Sequence, residues 1–210
     1  MTAVTAHHVL SRDDLADDVL DRARRIGRVA WDIETSGLDW ARDEIHTCQV
    51  AVADEIAVVQ LAPGSVPANL RSLLADLSVE KVFHHAPFDL RFMAHKWSVT
   101  PASVACTKIA AKIVRPGRVR EDYSLKPLLR EFLGVQIDKA LQVSDWSRER
   151  LSTAQLDYAA NDVRYLDQLY EALLRAADRQ GVAHLVAASY AYLPTRVLLD
   201  LSGIGDVYQY

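Results

Sequence analysis

Two carboxylates interrupt the otherwise apolar run Val29-Ala30-Trp31-Asp32-Ile33-Glu34-Thr35-Ser36-Gly37-Leu38. Val29, Trp31 and Ile33 alternate with their neighbours, which is the period of a β-strand, and side chains two apart on a strand share a face. Asp32 and Glu34 therefore point the same way. Like charges placed side by side in an apolar element are costly unless a cation or a dense set of donors neutralises them. A divalent metal ion is the simplest such partner, so the segment predicts a strand that carries metal ligands.

Half of the 210 residues are apolar, enough for one sizeable core, and residues 1–210 are expected to form a single domain. A formal net charge of −4 argues against clamping long duplexes through a broad basic face, because that mode rests on neutralising many phosphates. A nucleic-acid substrate would be short or held locally. Cys48 and Cys106 show no CxxC or CxH spacing, which speaks against a disulfide framework or a zinc site and for a reducing, cytoplasmic setting. The stretch from Thr2 to Arg28 is charged throughout and lacks the apolar core of a signal peptide, and no run approaches a membrane-spanning length. Its acidic part reads as the solvated face of a helix.

Beyond the first strand, residues 45–52 and 56–61 read as strands joined by a tight hairpin at Ala53-Asp54-Glu55. Leu70, Leu73, Leu74 and Leu77 recur at helical spacing and are followed by a short strand, Lys81-Val82-Phe83-His84. On a strand, one of the adjacent His84 and His85 would point inward and the other outward. Pro87 can open a helix, Val104-Ala105-Cys106 reads as a last short strand, and Thr107 is placed to cap the helix after it. Arg115 to Asp122 reads as a loop; Ser124 is placed to cap a helix that ends at Gly134. Ser152-Thr153-Ala154-Gln155 is a capping box that starts a long helix running towards Gly181, with Tyr158 and Asp162 on one face. A last helix from about Val182 is expected to break at Pro194. The alternation of strands and helices predicts an α/β sheet.

Asp32, Glu34, Asp89 in Phe88-Asp89, and Asp162 supply four carboxylates, and Tyr158 a phenol. Taken singly, each has a plain reading: a solvated strand face, a partner of a helix dipole, a surface pair. Taken together and in order, they offer the hard oxygen ligands that suit Mg²⁺ or Mn²⁺, and a pair of ions roughly 4 Å apart stabilises both oxygens of a phosphodiester displacement. Asp-x-Glu, Phe-Asp and Tyr-x-x-x-Asp resemble, in sequence and order, the three motifs of the DEDD 3′–5′ exonucleases in their tyrosine-containing branch, which includes ribonuclease D. The stretches Ser144-Asp145-Trp146-Ser147 and Gln155-Leu156-Asp157-Tyr158-Ala159-Ala160-Asn161-Asp162-Val163 are especially similar to ribonuclease D. Cys106-Thr107-Lys108-Ile109-Ala110 and Leu193-Pro194-Thr195-Arg196 resemble the short subgroup known as nanoRNase C.

That resemblance implies a ribonuclease H-like fold, a mixed central sheet flanked by helices with one antiparallel strand. It implies two divalent metal ions, Mg²⁺ or Mn²⁺, with Asp32, Glu34 and Asp162 holding one, Asp32 sharing the second and Asp89 supporting the second through water. Tyr158 would orient the attacking water; with a reference pKa near 10 it stays protonated at neutral pH, which favours positioning over full base chemistry. Leu38 matches the leucine that wedges between the two bases of a bound dinucleotide in related enzymes, although a leucine after a strand also commonly packs in the core. Thr35, His84 and His85 are further substrate contacts, the histidines at the 3′ end or a phosphate, and Lys108, Lys126 and Arg196 are candidates for the 5′ phosphate. The expected activity is hydrolysis of short RNA, or short DNA, with a free 3′ end, dinucleotides foremost, to nucleoside 5′-monophosphates. No room is left for the accessory RNA-binding domains of ribonuclease D, and no membrane partner is indicated. The subgroup implies a homo-oligomer, a dimer or a ring of dimers. The alternatives are 3′ trimming of structured RNA such as tRNA precursors, and a catalytically silent module that binds RNA or protein.

Overall fold

The computed structural model describes residues 8–137 and 144–209, so the first residues of the charged N-terminal stretch lie outside the described part. Six strands, β1 (His8–Arg12), β2 (Arg28–Thr35), β3 (Ile45–Val52), β4 (Glu55–Gln60), β5 (Glu80–Phe83) and β6 (Val104–Cys106), form one sheet in the order β1-β4-β3-β2-β5-β6. Strand β3 runs antiparallel to both β2 and β4, and the other pairings are parallel. This is the mixed, ribonuclease H-like sheet that was expected. Its centre is β2, whose Trp31 is fully buried and stacks on Phe83 at 5.9 Å and beside Trp97 at 6.4 Å. Asp32 and Glu34 face the other side of the sheet.

Eight α-helices flank the sheet in the described residues: α1 (Asp17–Ile26), α2 (Ala68–Ala75), α3 (Ala86–Trp97), α4 (Thr107–Val114), α5 (Leu125–Leu133), α6 (Thr153–Arg164), α7 (Leu166–Arg179) and α8 (Ala183–Leu201). Helix α1 buries Val19, Leu20 and Ala23 and turns its acidic first turn to solvent, as its composition predicts. Helix α6 crosses β2, β3 and β4 on the carboxylate-bearing face. It opens with the predicted capping box, in which the Ser152 hydroxyl accepts from the Gln155 backbone N–H and the Gln155 side chain accepts from the Ser152 backbone N–H.

Several local expectations are corrected. Strand β1 was not legible because it offers two apolar residues, Val9 and Leu10, and both are exposed at the sheet edge; parallel pairing with β4 holds it. The long helix after Ser152 divides at Tyr165, whose ψ of 4° leaves the helical range and starts α7 in a new direction. Conversely, α8 runs through Pro194 without ending. A proline inside a helix costs about 3 kcal/mol, and here the packing of α8 on α3, α4, α7 and β6 offsets that loss. Thr107 is the first residue of α4 rather than its cap: its hydroxyl turns back to donate to the Phe83 carbonyl at 3.3 Å. Ser124 does sit before α5, but its hydroxyl donates to the Glu121 carbonyl at 2.7 Å and not to the helix. Gly134 closes α5 with φ of 70°, the left-handed conformation predicted for it.

One buried cation lies away from the carboxylate face. Lys81 on β5 has no exposed surface, and its ammonium donates to the Asp76 carbonyl at the end of α2. Burial pushes its pKa down to about 8, against partial compensation from Asp76 and Glu80. Between that value and the ordinary lysine range, the unfolded chain binds more protons than the folded one, so stability rises with pH there, and below it the full burial cost applies. Denaturant melts of the parent and Lys81→Met are expected to converge upward for the parent, by about 2 kcal/mol, as pH goes from 7 to 10, while the variant shows no such gain.

Candidate active site

The site is built where β2 loses its partner. The β2–β3 register pairs Asp32 with Gln49 and Glu34 with Thr47, then shifts between Glu34 and Thr35, whose pairing with Ile45 is the last of the strand. Directly opposed residues of an antiparallel pair share a face. The buried Gln49 and Thr47 therefore line the carboxylates from behind, and the Gln49 amide donates to the Thr47 hydroxyl at 2.6 Å. Helix α6 brings Asp162 over this face. Oxygens of Asp32, Glu34 and Asp162 all lie within 4.8 Å of one another.

The fourth carboxylate, Asp89, comes from the first turn of α3 and is 3% exposed. It accepts hydrogen bonds from the backbone N–H groups of Ile33 and of Asp89 itself, which seats it against β2 between the two acidic residues. Burial holds its carboxyl well above the usual carboxylate range. Tyr158, one turn before Asp162, hydrogen-bonds to that carboxylate, and its pKa is raised by burial and then by Asp162, Glu34 and Asp32. The phenol is thus firmly protonated. A set of converging, oxygen-only ligands with net negative charge fits a divalent ion of the Mg²⁺ or Mn²⁺ type, and the ordering of Tyr158 fits hydrogen-bond donation rather than proton abstraction.

These groups open into a cavity of about 590 Å³ whose wall includes Asp32, Glu34, Asp89, Tyr158 and Asp162 together with Thr35, Leu38, His84, His85 and Lys108. That volume lies within the range of roughly 300–1,000 Å³ seen for small-ligand sites. Leu38 is 84% exposed, so the core reading of this residue does not apply. It stands on a braced loop: the Ser36 N–H donates to the Glu44 carbonyl at 3.0 Å, and a methyl group on Gly37 would meet an Asp43 carboxylate oxygen at 2.3 Å.

The inward–outward alternation expected for His84 and His85 does not hold, because β5 ends at Phe83 and His85 takes a left-handed φ of 74° as it enters α3. Both line the cavity. His84 Nδ1 lies 2.9 Å from the Thr107 hydroxyl. The pKa of His85 falls to about 4 through burial and then through Lys108, Arg91, Lys112 and Arg120, which keeps the imidazole neutral. Lys126 lies elsewhere, beside Pro127, Arg130 and Gln136. Arg196 is ion-paired with Asp200, which also meets Arg91 at 3.6 Å and so ties α8 to α3. Neither residue joins the cavity wall.

A family model described as a 3′–5′ exonuclease matches residues 7–178. The chain belongs to the 3′–5′ exonuclease family. Ribonuclease D of Gluconacetobacter diazotrophicus is 37% identical over 186 residues, which is 88% of this exonuclease and 46% of the relative. The chain thus spans about half the length of that curated relative. Among solved structures, Brucella melitensis NrnC bound to pGG superposes with a TM-score of 0.90 at 38% identity, covering 98% of this chain and 100% of that one. The same protein with bound Mg²⁺ gives 0.88 at 38% identity, covering 97% and 98%. The chain is therefore similar to Brucella melitensis NrnC over nearly all of its length.

Trp146, Phe88, Ser124 and Leu125 also line the cavity, and sequence reasoning gave them no part in the site. Thr47 and Gln49 were equally silent, although polar residues alternating in an otherwise apolar strand beside Asp-x-Glu carry a usable signal. Removing one of three mutually repelling carboxylates should stabilise the ion-free protein. Asp162→Ala is expected to melt about 2–4 °C above the parent in a chelator and to lose most of the parent's upward shift on adding Mn²⁺. An undiminished Mn²⁺ shift in the variant, read by differential scanning fluorimetry, would contradict the ligand assignment.

Proposed function

We propose that this exonuclease degrades very short RNA with a free 3′ end, dinucleotides above all, to nucleoside 5′-monophosphates in a two-metal mechanism. The observation that carries the reading is Leu38, an apolar side chain held in solvent at the rim of a carboxylate-lined cavity. Single exposed leucines are ordinary on protein surfaces, and what sets Leu38 apart is its place in the wall of the carboxylate-lined cavity, where stacking against a base is favourable and indifferent to sequence. The similarity to NrnC, which has been solved with pGG, supports the same substrate class.

Asp32, Glu34 and Asp162 would hold one ion, and Asp32 with Asp89 would serve a second. When bound, the ions neutralise charge on the phosphoryl oxygens and acidify the attacking water. The remaining work falls to the protein's own groups. The protonated Tyr158 orients the water by a hydrogen bond, Leu38 separates the two bases, and Thr35, His84 and the neutral His85 contact the 3′ nucleotide. Lys108 is the cavity's cation for a phosphate. Lys126 and Arg196, set away from the cavity, are not needed for a two-nucleotide substrate.

The test is a competition in one tube between a 5′-phosphorylated RNA dinucleotide and a seven-nucleotide RNA with Mg²⁺. The dinucleotide should disappear first while the heptamer persists, and Leu38→Ala should slow its turnover about tenfold, the scale of one lost stacking contact. Stepwise shortening of the heptamer at a comparable rate would instead favour a 3′ trimming enzyme, with the cations near His85 guiding a longer strand. Failure to cleave either RNA would favour a binding module.

A further inference from the structure

We propose that Gln155 and Trp146 form a latch that positions the Tyr158 phenol, so that the Asp145-Trp146-Ser147 stretch serves the reaction through that one ring. The inference rests on the role given to Tyr158 above and assigns one to residues that have none so far. Tyr158 is not packed into the main core. Its buried companions are Trp146 and Ala159, with Leu151 alongside, in a small cluster apart from the large one. The rings of Trp146 and Tyr158 are 5.9 Å apart at 42°, within the range of favourable aromatic pairs.

Trp146 lies on an irregular segment before α6, so something other than secondary structure must hold it. Gln155 does so. Its amide nitrogen donates to the Ser144 hydroxyl at 2.9 Å and to the Asp145 carbonyl at 3.0 Å, while its amide oxygen accepts from the Ser152 N–H at 3.0 Å. Both N–H bonds and the carbonyl of this 3% exposed amide are thereby used. The far end of the segment is tied to the sheet edge, where the Gln60 amide donates to the Arg148 carbonyl at 2.6 Å and Arg12 to that of Glu149 at 3.0 Å. Gln155 precedes Tyr158 by one helical turn, so the residue that clamps the segment and the residue the segment packs against share one face of α6. The Trp146 N–H is buried and has no partner among the described residues, and the contact observed between Trp146 and Tyr158 is that of the two rings.

A hydroxyl that aims a water must be held to a fraction of an ångström, and a misplacement of about 1 Å can cost on the order of 100-fold. Gln155→Leu removes both donors to the segment. It is expected to lower kcat on a 5′-phosphorylated RNA dinucleotide about 30-fold with KM within about twofold, and to speed tryptic cleavage at Arg148 and Arg150. Ser152→Ala, which weakens the cap of α6 and removes the hydroxyl that donates to the Gln155 amide oxygen at 3.2 Å but leaves both of that amide's donors to the segment in place, should lose no more than about twofold in kcat. Ser144→Ala, which removes one of two acceptors, should lose about threefold without lowering the melting temperature, and it serves if Gln155→Leu folds poorly.

The deciding measurement is a double-mutant cycle with Tyr158→Phe. If the latch acts only through the phenol, Gln155→Leu costs less than about twofold in the Tyr158→Phe background. A full, multiplicative loss there would overturn the latch while leaving the role of Tyr158 standing. A Tyr158→Phe enzyme as fast as the parent would overturn the role of Tyr158 itself, and the latch with it.

Discussion

Mutual repulsion among Asp32, Glu34 and Asp162 is the cost around which the molecule is arranged. Carboxylates with oxygens within 4.8 Å of one another repel by about 3 kcal/mol per pair at an effective dielectric near 20. No chain would hold three of them there by local preference. The adverse geometry is imposed by apolar packing on the far side of the same strand, where Trp31 is clamped between Phe83 and Trp97, and by α6 lying across three strands. Core and site are two faces of β2.

The same arrangement explains the protonation of the surrounding groups. Burial and then negative charge raise the Tyr158 pKa, leaving a phenol that keeps its proton and hydrogen-bonds to Asp162. Burial and a nearby group of cations lower that of His85, leaving an imidazole that is neutral at physiological pH. Thus the carboxylate centre of the cavity is bordered by a protonated phenol, a neutral imidazole and Lys108. The exposed Leu38 adds an apolar side chain to the same cavity wall.

Much of this was legible because the informative residues fall on regular elements. The β-period of residues 29–33 placed Asp32 and Glu34 on one face, and the helical spacing of Tyr158 and Asp162 placed them together, before any fold was known. The capping box at Ser152 marked the start of α6 because its hydrogen bonds are local. Features that depend on distant partners were not readable in this way. Strand β1 exists through its pairing with β4, α8 passes Pro194 because three helices and a strand support it, and His85 leaves the β conformation to turn the chain into α3. The exonuclease resemblance supplied the roles of the acids but not the surroundings of the candidate phosphate-binding cations, since a side chain's surroundings follow from packing and not from a motif.

Local chemistry in the chain thus placed most of the regular elements, the α/β class, Asp32 with Glu34 on one strand face and Tyr158 with Asp162 on one helix face, because period-2 and period-3.6 patterns and hydrogen bonds between near neighbours are written in consecutive residues. Folding in three dimensions settled which of the cations reach the cavity, that Leu38 faces solvent, and that Trp146 lies against Tyr158. Those facts depend on how separate elements meet, and the energies that set such meetings, burial and long-range hydrogen bonding, have no counterpart in the order of residues along a single segment.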